Sequence, residues 1–258
     1  MSVAVNSFAF GHCTAICRRE AIIKKQLDEA RVTGQESRTV DLVVFDMAGT
    51  TVLDEGQVPA AFTAALAEHG VGVTPEAING LRGASKRQAI FALLPETPDR
   101  AARSERVYAT FRVQLERAFG AGVRAVPGAA DMLRLLRSRG IRIALNTGFD
   151  RDTTGILLRA LGWDGGFVDA VVCGDEVAAG RPAPELIQAC MKATGVGDPA
   201  RVANVGDTVL DLRAGHNAGV RYNVGVLSGA HNREQLGVEP HTHLLASVAQ
   251  LGEVLAPA

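Results

Sequence analysis

The sequence VDLVVFDMAGTT occupies residues 40–51 and joins a short apolar run to a polar segment. Apolar, β-branched runs without alternation are typical of strands that are buried on both faces of a parallel sheet. We therefore predict a first strand over Val40–Phe45 that ends at Asp46. In open α/β sheets, ligands bind beyond the carboxyl ends of the strands, so the residues from Asp46 onward are candidate site residues.

Further apolar runs and helical patterns alternate along the rest of the chain. The runs are Ile141–Leu145, Phe167–Cys173, Val202–Val205 and Val220–Val226. The helical patterns are Ala129–Ser138, Thr153–Leu161, Pro184–Thr194 and Leu210–Ala218. This alternation predicts an α/β fold, a doubly wound, Rossmann-like parallel sheet with helices on both faces.

One region interrupts the alternation, because residues 59–119 carry helical segments and no convincing strand. These segments include Pro59–Glu68, Ser85–Leu93 and Asp99–Phe119. We interpret residues 57–123 as an all-helical cap inserted into a core of residues 39–56 and 124–258. Hinges near Asp54–Pro59 and Val123–Pro127 would allow this cap to act as a lid.

Composition excludes several classes of protein. With 27 Lys and Arg against 28 Asp and Glu, the net charge is −1, which does not favour a nucleic-acid binder. No apolar run reaches the roughly 18 residues of a membrane span, and no secretory pattern is present, so we expect a cytoplasmic protein that does not bind membranes. We interpret residues 1–38 as an N-terminal extension with a helical pattern over Arg18–Arg31.

Besides the segment after the first strand, polar residues follow two further predicted strands and precede one predicted helix. Asn146, Thr147 and Gly148 follow the second run, Arg181 precedes the helix at Pro184, and Asp207 and Asp211 follow the fourth run. Taken singly, each has an ordinary explanation: a helix cap, a turn residue or a solvated cation. Together, carboxylates, a hydroxyl and a guanidinium would converge on one edge of the sheet.

In this order, the motifs resemble those of the haloacid dehalogenase-like hydrolases over about residues 40–255. Within that superfamily, DMAGTT (46–51), GRPAP (180–184) and VGDTVLD (205–211) look like the phosphonatases, or phosphonoacetaldehyde hydrolases, and their close relatives. The resemblance implies a homodimer formed through the cap and a small anionic phosphonate as the substrate.

Residue types agree with the roles that the resemblance implies. Asp46 would attack phosphorus to give an aspartyl phosphate. Mg²⁺ prefers oxygen ligands, which Asp46, the backbone carbonyl of Ala48 and Asp207 can supply. The phosphoryl group would be bound by Gly49, Thr50, Thr147, Gly148 and Arg181. Asp211 would orient either Arg181 or the water shell of the metal, and the sequence does not choose between them.

The substrate depends on Ala48 and Lys86. Phosphatases of this superfamily carry a second Asp at the position of Ala48, where it protonates the leaving alkoxide. A methyl group cannot do so. Lys86 aligns with the cap lysine of phosphonatases, which forms an imine with the substrate aldehyde so that no alkoxide leaves.

Local sequence around Lys86 favours a reactive amine. Ser85 and Gln88 form a capping-box pattern that predicts Lys86 as the first helical residue. The positive end of the helix dipole, with Arg82 and Arg87 nearby, should disfavour the ammonium form. Only four of the 27 basic residues are lysines, and arginine serves elsewhere. The ordinary alternative is a solvated lysine at a helix start.

Two positions and one short segment depart from the phosphonatase pattern and leave other functions open. Met47 stands where that family commonly has Trp, Ala89 stands where it places a cap histidine, and the segment Gly56-Gln57 also differs. A related phosphonoaldehyde, such as a hydroxylated one, would fit equally well. The alternatives are a phosphatase that acts on an activated ester or anhydride, and a non-catalytic phosphate-binding protein.

Overall fold

The strand Leu42–Asp46 (β1) lies at the centre of a six-stranded parallel sheet. The computed structural model describes residues 40–255. The other strands are β2 (Arg142–Asn146), β3 (Ala170–Val172), β4 (Val202–Gly206), β5 (Tyr222–Val226) and β6 (His243–Leu245). Their order is β3-β2-β1-β4-β5-β6. The direction of winding reverses between β1 and β4, which creates the crevice where ligands bind in such sheets.

Helices follow the strands along the chain. After β1 come α1 (Gln57–Glu68), α2 (Pro75–Asn79), α3 (Lys86–Leu93) and α4 (Arg100–Gly120). The later helices are α5 (Ala129–Ser138), α6 (Arg151–Leu161), α7 (Glu185–Thr194), α8 (Val209–Asn217), α9 (Arg233–Gly237) and α10 (Leu251–Val254). Short 3₁₀ turns occupy Pro199–Arg201 and Val248–Gln250.

Hydrophobic layers cover both faces of the sheet. Along β1, Val43 and Phe45 pack into the layer that contains α5 and the inserted helices, while Leu42 and Val44 pack against α7. Alternate strand residues therefore point to opposite layers, as the pleat of a strand requires. The expected α/β fold, a doubly wound parallel sheet, is confirmed.

The segment interpreted as a cap contains α1–α4, which share their own apolar contacts. The rings of Phe62 on α1 and Phe111 on α4 lie 4.6 Å apart between centroids. The chain enters and leaves this segment through two paired stretches, because Leu53 donates to the carbonyl of Arg124 at 2.9 Å and Val126 donates to that of Thr51 at 2.9 Å. The second expected hinge, Val123–Pro127, thus lies partly within this pairing.

Several expected element boundaries are wrong. The strand expected over Phe167–Cys173 is limited to β3. Asp169 still donates its backbone N–H to the carbonyl of Ile143 at 2.8 Å, but its side chain accepts the N–H of Ile143 at 2.8 Å, and the regular backbone pairing ends there. The short, half-buried β6 was not predicted.

The helical pattern Arg18–Arg31 lies outside the described residues. Within residues 40–255, no helix is both long and apolar enough to cross a membrane.

Candidate active site

Three buried carboxylates meet at the crevice between β1 and β4. Asp46 is the last residue of β1, Asp207 follows β4, and Asp211 lies in the first turn of α8. One carboxylate oxygen of each lies within 4.8 Å of one oxygen of the others. The sheet therefore brings together the three acidic residues that the sequence predicted.

Asp207 is fixed by partners on two loops. Its Oδ1 accepts from the hydroxyl of Thr50 at 3.0 Å, and its Oδ2 accepts from the N–H of Ala230 at 2.7 Å. Gly49, at φ +95°, passes so close that a Cβ there would lie 2.3 Å from Asp207 Oδ2. Gly49 and Thr50 of the DMAGTT segment therefore help to position Asp207, a candidate metal ligand.

Asp211 has two separate contacts. Its Oδ2 accepts from the backbone N–H of Thr208 at 3.0 Å, and Thr208 caps α8 in return. Its Oδ1 lies 2.9 Å from Nε of Arg181. Of the two roles expected for Asp211, the geometry favours the orientation of Arg181.

Arg181 is buried and is not a solvated cation. Its Nη2 lies 2.6 Å from Asp46 Oδ1, and its Nη1 donates to the carbonyl of Gly83 in the inserted segment at 3.0 Å. Nη2 also donates to the side-chain oxygen of Asn146, which pairs with Asp46 across β2 and β1. Sequence reasoning assigned no role to Asn146, although it stands beside Thr147 at the strand end.

The charge of this cluster is not balanced by protein groups alone. Burial raises the pKa of Asp46 to about 6; Arg181 opposes this effect, and Asp211 reinforces it. Burial, followed by the charges of Asp46 and Asp211, raises the pKa of Asp207 to about 8. Buried carboxylates that repel one another in this way suit a cation with a preference for oxygen ligands. The acidic cluster could hold a metal ion.

Thr147 and Gly148 follow β2 directly. The hydroxyl of Thr147 accepts from the N–H of Phe149 at 3.2 Å. Gly148 faces the inserted segment so closely that a Cβ there would lie 2.3 Å from the carbonyl oxygen of Ala84. Glycine is therefore the residue that permits this contact.

Lys86 is the first residue of α3 and is 7% exposed. Its Nζ lies 4.9 Å from the ring centroid of Phe149. Burial lowers the pKa of Lys86 to about 8; Asp46 opposes this effect, and Arg82 and Arg181 add to it. The lowered pKa of Lys86 agrees in direction with the activated amine expected from the sequence. Its main cause is burial, which the sequence analysis did not consider.

Two details of the expected helix start are wrong. Ser85 makes no side-chain capping bond; instead, the N–H of Lys86 donates to the carbonyl of Gly148 at 3.1 Å. A backbone acceptor from the core thus binds the first N–H of the helix, and the serine cap on a later N–H is not made. Arg87 ion-pairs with Glu105 and lies over the ring of Tyr108, 4.1 Å from its centroid, so its charge is engaged elsewhere.

A narrow cavity separates the sheet edge from the inserted helices. Asp46, Ala48, Thr147 and Arg181 line it from the core, and Lys86 lines it from the insert. The carboxylate and the amine that the sequence predicted to act on one substrate therefore share one cavity. The side chain of Ala48 at this wall is a methyl group, which cannot donate a proton.

Comparisons with known proteins agree with this geometry. The family model for haloacid dehalogenase-like hydrolases matches residues 40–219. A phosphonoacetaldehyde hydrolase from Bacteroides fragilis is 31% identical over 221 residues, 81% of this chain and 83% of the relative. One from Latilactobacillus sakei is 29% identical over 238 residues, 85% of this chain and 89% of the relative.

Solved structures share the fold at lower identity. A hydrolase from Pseudomonas syringae has a TM-score of 0.75 and 24% identity, covering 83% of this chain and 97% of its own. A phosphonoacetaldehyde hydrolase-like protein from Oleispira antarctica has a TM-score of 0.72 and 21% identity, covering 84% of this chain and 91% of its own. The protein is a hydrolase, and it belongs to the haloacid dehalogenase-like hydrolases, among their phosphonatase-like members.

Proposed function

We propose that the protein hydrolyses the carbon–phosphorus bond of phosphonoacetaldehyde or a closely related phosphonoaldehyde. The observation that carries this proposal is the cavity shared by the Asp46 carboxylate and the buried amine of Lys86. The first group suits attack on phosphorus and the second suits attack on an aldehyde. An ordinary phosphate ester has no aldehyde carbon, so the amine of Lys86 would have no role in its hydrolysis.

Lys86 prepares the substrate for cleavage. Its neutral amine attacks the aldehyde carbon, water leaves, and an iminium results. The lowered pKa, about 8, raises the fraction of neutral amine near neutral pH. The ring of Phe149 beside Nζ excludes water from one side of the amine.

Asp46 then attacks phosphorus. The electron pair of the carbon–phosphorus bond moves into the iminium, which leaves an enamine on Lys86 and an aspartyl phosphate on Asp46. One water cleaves the aspartyl phosphate, and protonation and hydrolysis of the enamine release acetaldehyde. The leaving group is a carbon stabilised by the iminium, so the methyl group of Ala48 is no disadvantage.

Other residues bind the phosphoryl oxygens. Arg181 lies 2.6 Å from Asp46 Oδ1 and can donate to the phosphoryl group, while Asp211 holds its Nε. Thr147, Gly148, Gly49 and Thr50 border the same sheet edge. Mg²⁺ held by Asp46, Asp207 and the carbonyl of Ala48 would offset the charge of the phosphonate.

We expect a homodimer, a cytoplasmic location and no nucleic-acid partner.

Borohydride trapping tests the proposal. With phosphonoacetaldehyde and Mg²⁺, we expect borohydride to inactivate the enzyme and to add a reduced adduct to Lys86. Lys86→Arg should lose trapping and turnover, whereas Lys192→Arg, on the exposed face of α7, should keep both. Turnover of acetyl phosphate by Lys86→Arg at the wild-type rate, without trapping in the wild type, would favour the phosphatase alternative.

A further inference from the structure

One amino group of the Arg181 guanidinium has more acceptors around it than it can use. Nη2 carries two N–H groups. Three oxygens lie within reach of it: Asp46 Oδ1 at 2.6 Å, the side-chain oxygen of Asn146, and the backbone carbonyl of Asn146 at 3.3 Å. With Asp46 as a free carboxylate, one of these three acceptors is therefore surplus.

The side chain of Asn146 reaches Arg181 from the α7 side of the sheet. Asn146 is the last residue of β2 and is 1% exposed. Ala144, two residues earlier, packs in the layer against α7, and the pleat of the strand places Asn146 on the same side. Among the described residues, Asn146 is not one of those that line the cavity. It can therefore act on a bound substrate only through its neighbours.

Stability does not explain an asparagine at this position. Its Nδ2 has no hydrogen-bond partner among the described residues. Rotating the amide would not help, because Nδ2 would then face the donors of Arg181. A buried donor without a partner costs free energy, which an apolar side chain of similar size would avoid. Nη2 would still have two acceptors, Asp46 Oδ1 and the backbone carbonyl of Asn146.

The number of acceptors falls when Asp46 takes up a phosphoryl group. An acyl phosphate has no carboxylate charge, so its oxygens bind a guanidinium weakly. The two remaining acceptors of Nη2 both belong to Asn146. Elsewhere on Arg181, Nε stays with Asp211 Oδ1 at 2.9 Å and Nη1 with the carbonyl of Gly83 at 3.0 Å. The side chain of Asn146 thus becomes necessary in the state in which Asp46 no longer holds Nη2.

We propose that Asn146 is a positioning residue that keeps Arg181 in place while Asp46 carries the phosphoryl group. This inference rests on the attack of Asp46 on phosphorus in the proposed function, but not on carbon–phosphorus cleavage. In that attack a carboxylate oxygen bonds to phosphorus, the leaving group takes the electron pair of the bond that breaks, and Asn146 neither gains nor loses a proton. A neutral acceptor suits this role, because a carboxylate here would add a fourth negative charge to the three clustered ones.

Two anions distinguish the two states of Asp46. Inorganic phosphate binds beside a free carboxylate, whereas beryllofluoride bonds to a carboxylate oxygen and mimics an aspartyl phosphate. With Mg²⁺-loaded protein, we expect calorimetry to show that Asn146→Leu weakens beryllofluoride binding by about 10- to 100-fold, the range of one hydrogen bond to a charged group. Its affinity for phosphate should stay close to that of the wild type, because Asp46 then keeps its contact with Arg181.

Turnover and stability should show the same difference. On phosphonoacetaldehyde or acetyl phosphate, Asn146→Leu should lower kcat by about 10- to 100-fold and leave KM near the wild-type value, because the substrate binds while Asp46 is still a carboxylate. Urea unfolding should give this variant a free energy of unfolding equal to or above that of the wild type. A merely structural asparagine would instead lower the free energy of unfolding and leave the ratio of the two anion affinities unchanged.

Asn217→Leu is the matched control. The side chain of Asn217, at the exposed end of α8, donates to the carbonyl of Pro182, the residue after Arg181, at 2.9 Å. This variant should keep the wild-type affinity for both anions. Asn146→Asp keeps an acceptor for Nη2 and adds a charge, so it should weaken both anions alike. If Asn146→Leu does not fold, Asn146→Val is the second variant, because valine is smaller and suits a strand.

The outcomes separate this inference from the proposed function. A wild type that binds phosphate but not beryllofluoride would show that Asp46 does not accept a phosphoryl group, which overturns both. If the wild type binds both anions and the apolar variants weaken them equally or not at all, only the role of Asn146 is overturned. Selective loss of beryllofluoride binding without cleavage of phosphonoacetaldehyde supports that role and counts against carbon–phosphorus cleavage.

Discussion

The backbone N–H of Lys86 donates to the carbonyl of Gly148 at 3.1 Å, so the core supplies the first hydrogen-bond acceptor of helix α3. The first N–H groups of a helix have no partner inside it and must find one elsewhere. Here the partner lies in the segment that also carries Thr147. The position of the Lys86 amine is therefore tied to the phosphoryl-binding edge of the sheet.

Replacing Gly148 should break this connection. In Gly148→Ala the new Cβ would lie 2.3 Å from the carbonyl oxygen of Ala84, so the insert must move away from the sheet. A displacement of this size should lower kcat/KM on a phosphonoaldehyde by about 10- to 100-fold. Steady-state kinetics measure this loss. Gly197→Ala, where a Cβ meets nothing within 4 Å, is the control and should retain activity. A folded Gly148→Ala enzyme with wild-type kcat/KM would contradict the interpretation.

The sequence predicted the sheet and the polar strand ends because both depend on local patterns. An apolar run predicts a buried strand, and parallel strands bring their carboxyl ends to one edge, so Asp46, Thr147 and Asp207 could be placed without coordinates. The small residues of GRPAP gave no indication of which acceptors surround Arg181. Its contact with Asn146 depends on strand register, which only the structure gives.

Contacts between the insert and the core could not be predicted, because they join residues far apart in sequence. The capping bond expected from Ser85 is not made, and the N–H of Lys86 binds the carbonyl of Gly148, which is 62 positions away in the numbering. Asp54 was interpreted only as part of a hinge, and Arg82 only as a nearby charge. Their pairing depends on how the insert packs on the loop after β1.

Lys86 should impose a pH dependence on imine formation. A pKa of about 8 leaves about 10% of the amine neutral at pH 7, compared with about 0.03% for an ordinary lysine. The neutral form reacts, so kcat/KM should rise with pH from 6.5 to about 8 and level off above it. Profiles on a phosphonoaldehyde, with the borohydride trapping rate as a second readout, measure the midpoint. A midpoint above about 9.5 would show that burial does not lower this pKa.

Asp207 should make the metal-free protein less stable as the pH rises. Its folded pKa of about 8 exceeds the ordinary 3.8, so the folded state retains a proton that the unfolded state loses between these values. The free energy of unfolding therefore falls from about pH 4 to about pH 8 through this group. Asp207→Asn removes the charge and should gain about 2 to 4 kcal/mol over the wild type at pH 8 and little at pH 4.

Urea unfolding in the presence of a chelator measures this difference at each pH. Asp131→Asn, whose side chain is 86% exposed, is the control and should follow the wild type. Excess Mg²⁺ should stabilise the wild type at pH 8 more than Asp207→Asn. If both proteins respond equally to pH and to Mg²⁺, Asp207 is neither a strained carboxylate nor a metal ligand.

Tyr108 on α4 should hold the insert against the core. Its hydroxyl donates to Asp150 Oδ2 at 2.5 Å, while Asp150 Oδ1 caps α6 by accepting from Thr153 at 2.8 Å. Tyr108→Phe removes one of several bonds between the two parts and leaves the ion pair of Arg112 with Asp150 in place, so it should cost about 1 kcal/mol of stability. With the insert opening more often, KM should rise several-fold while kcat changes little, and the Lys86 amide should exchange its hydrogen faster. Tyr222→Phe, on β5, is the matched control. Equal exchange at the Lys86 amide in Tyr108→Phe and the wild type would show that this bond does not restrain the insert.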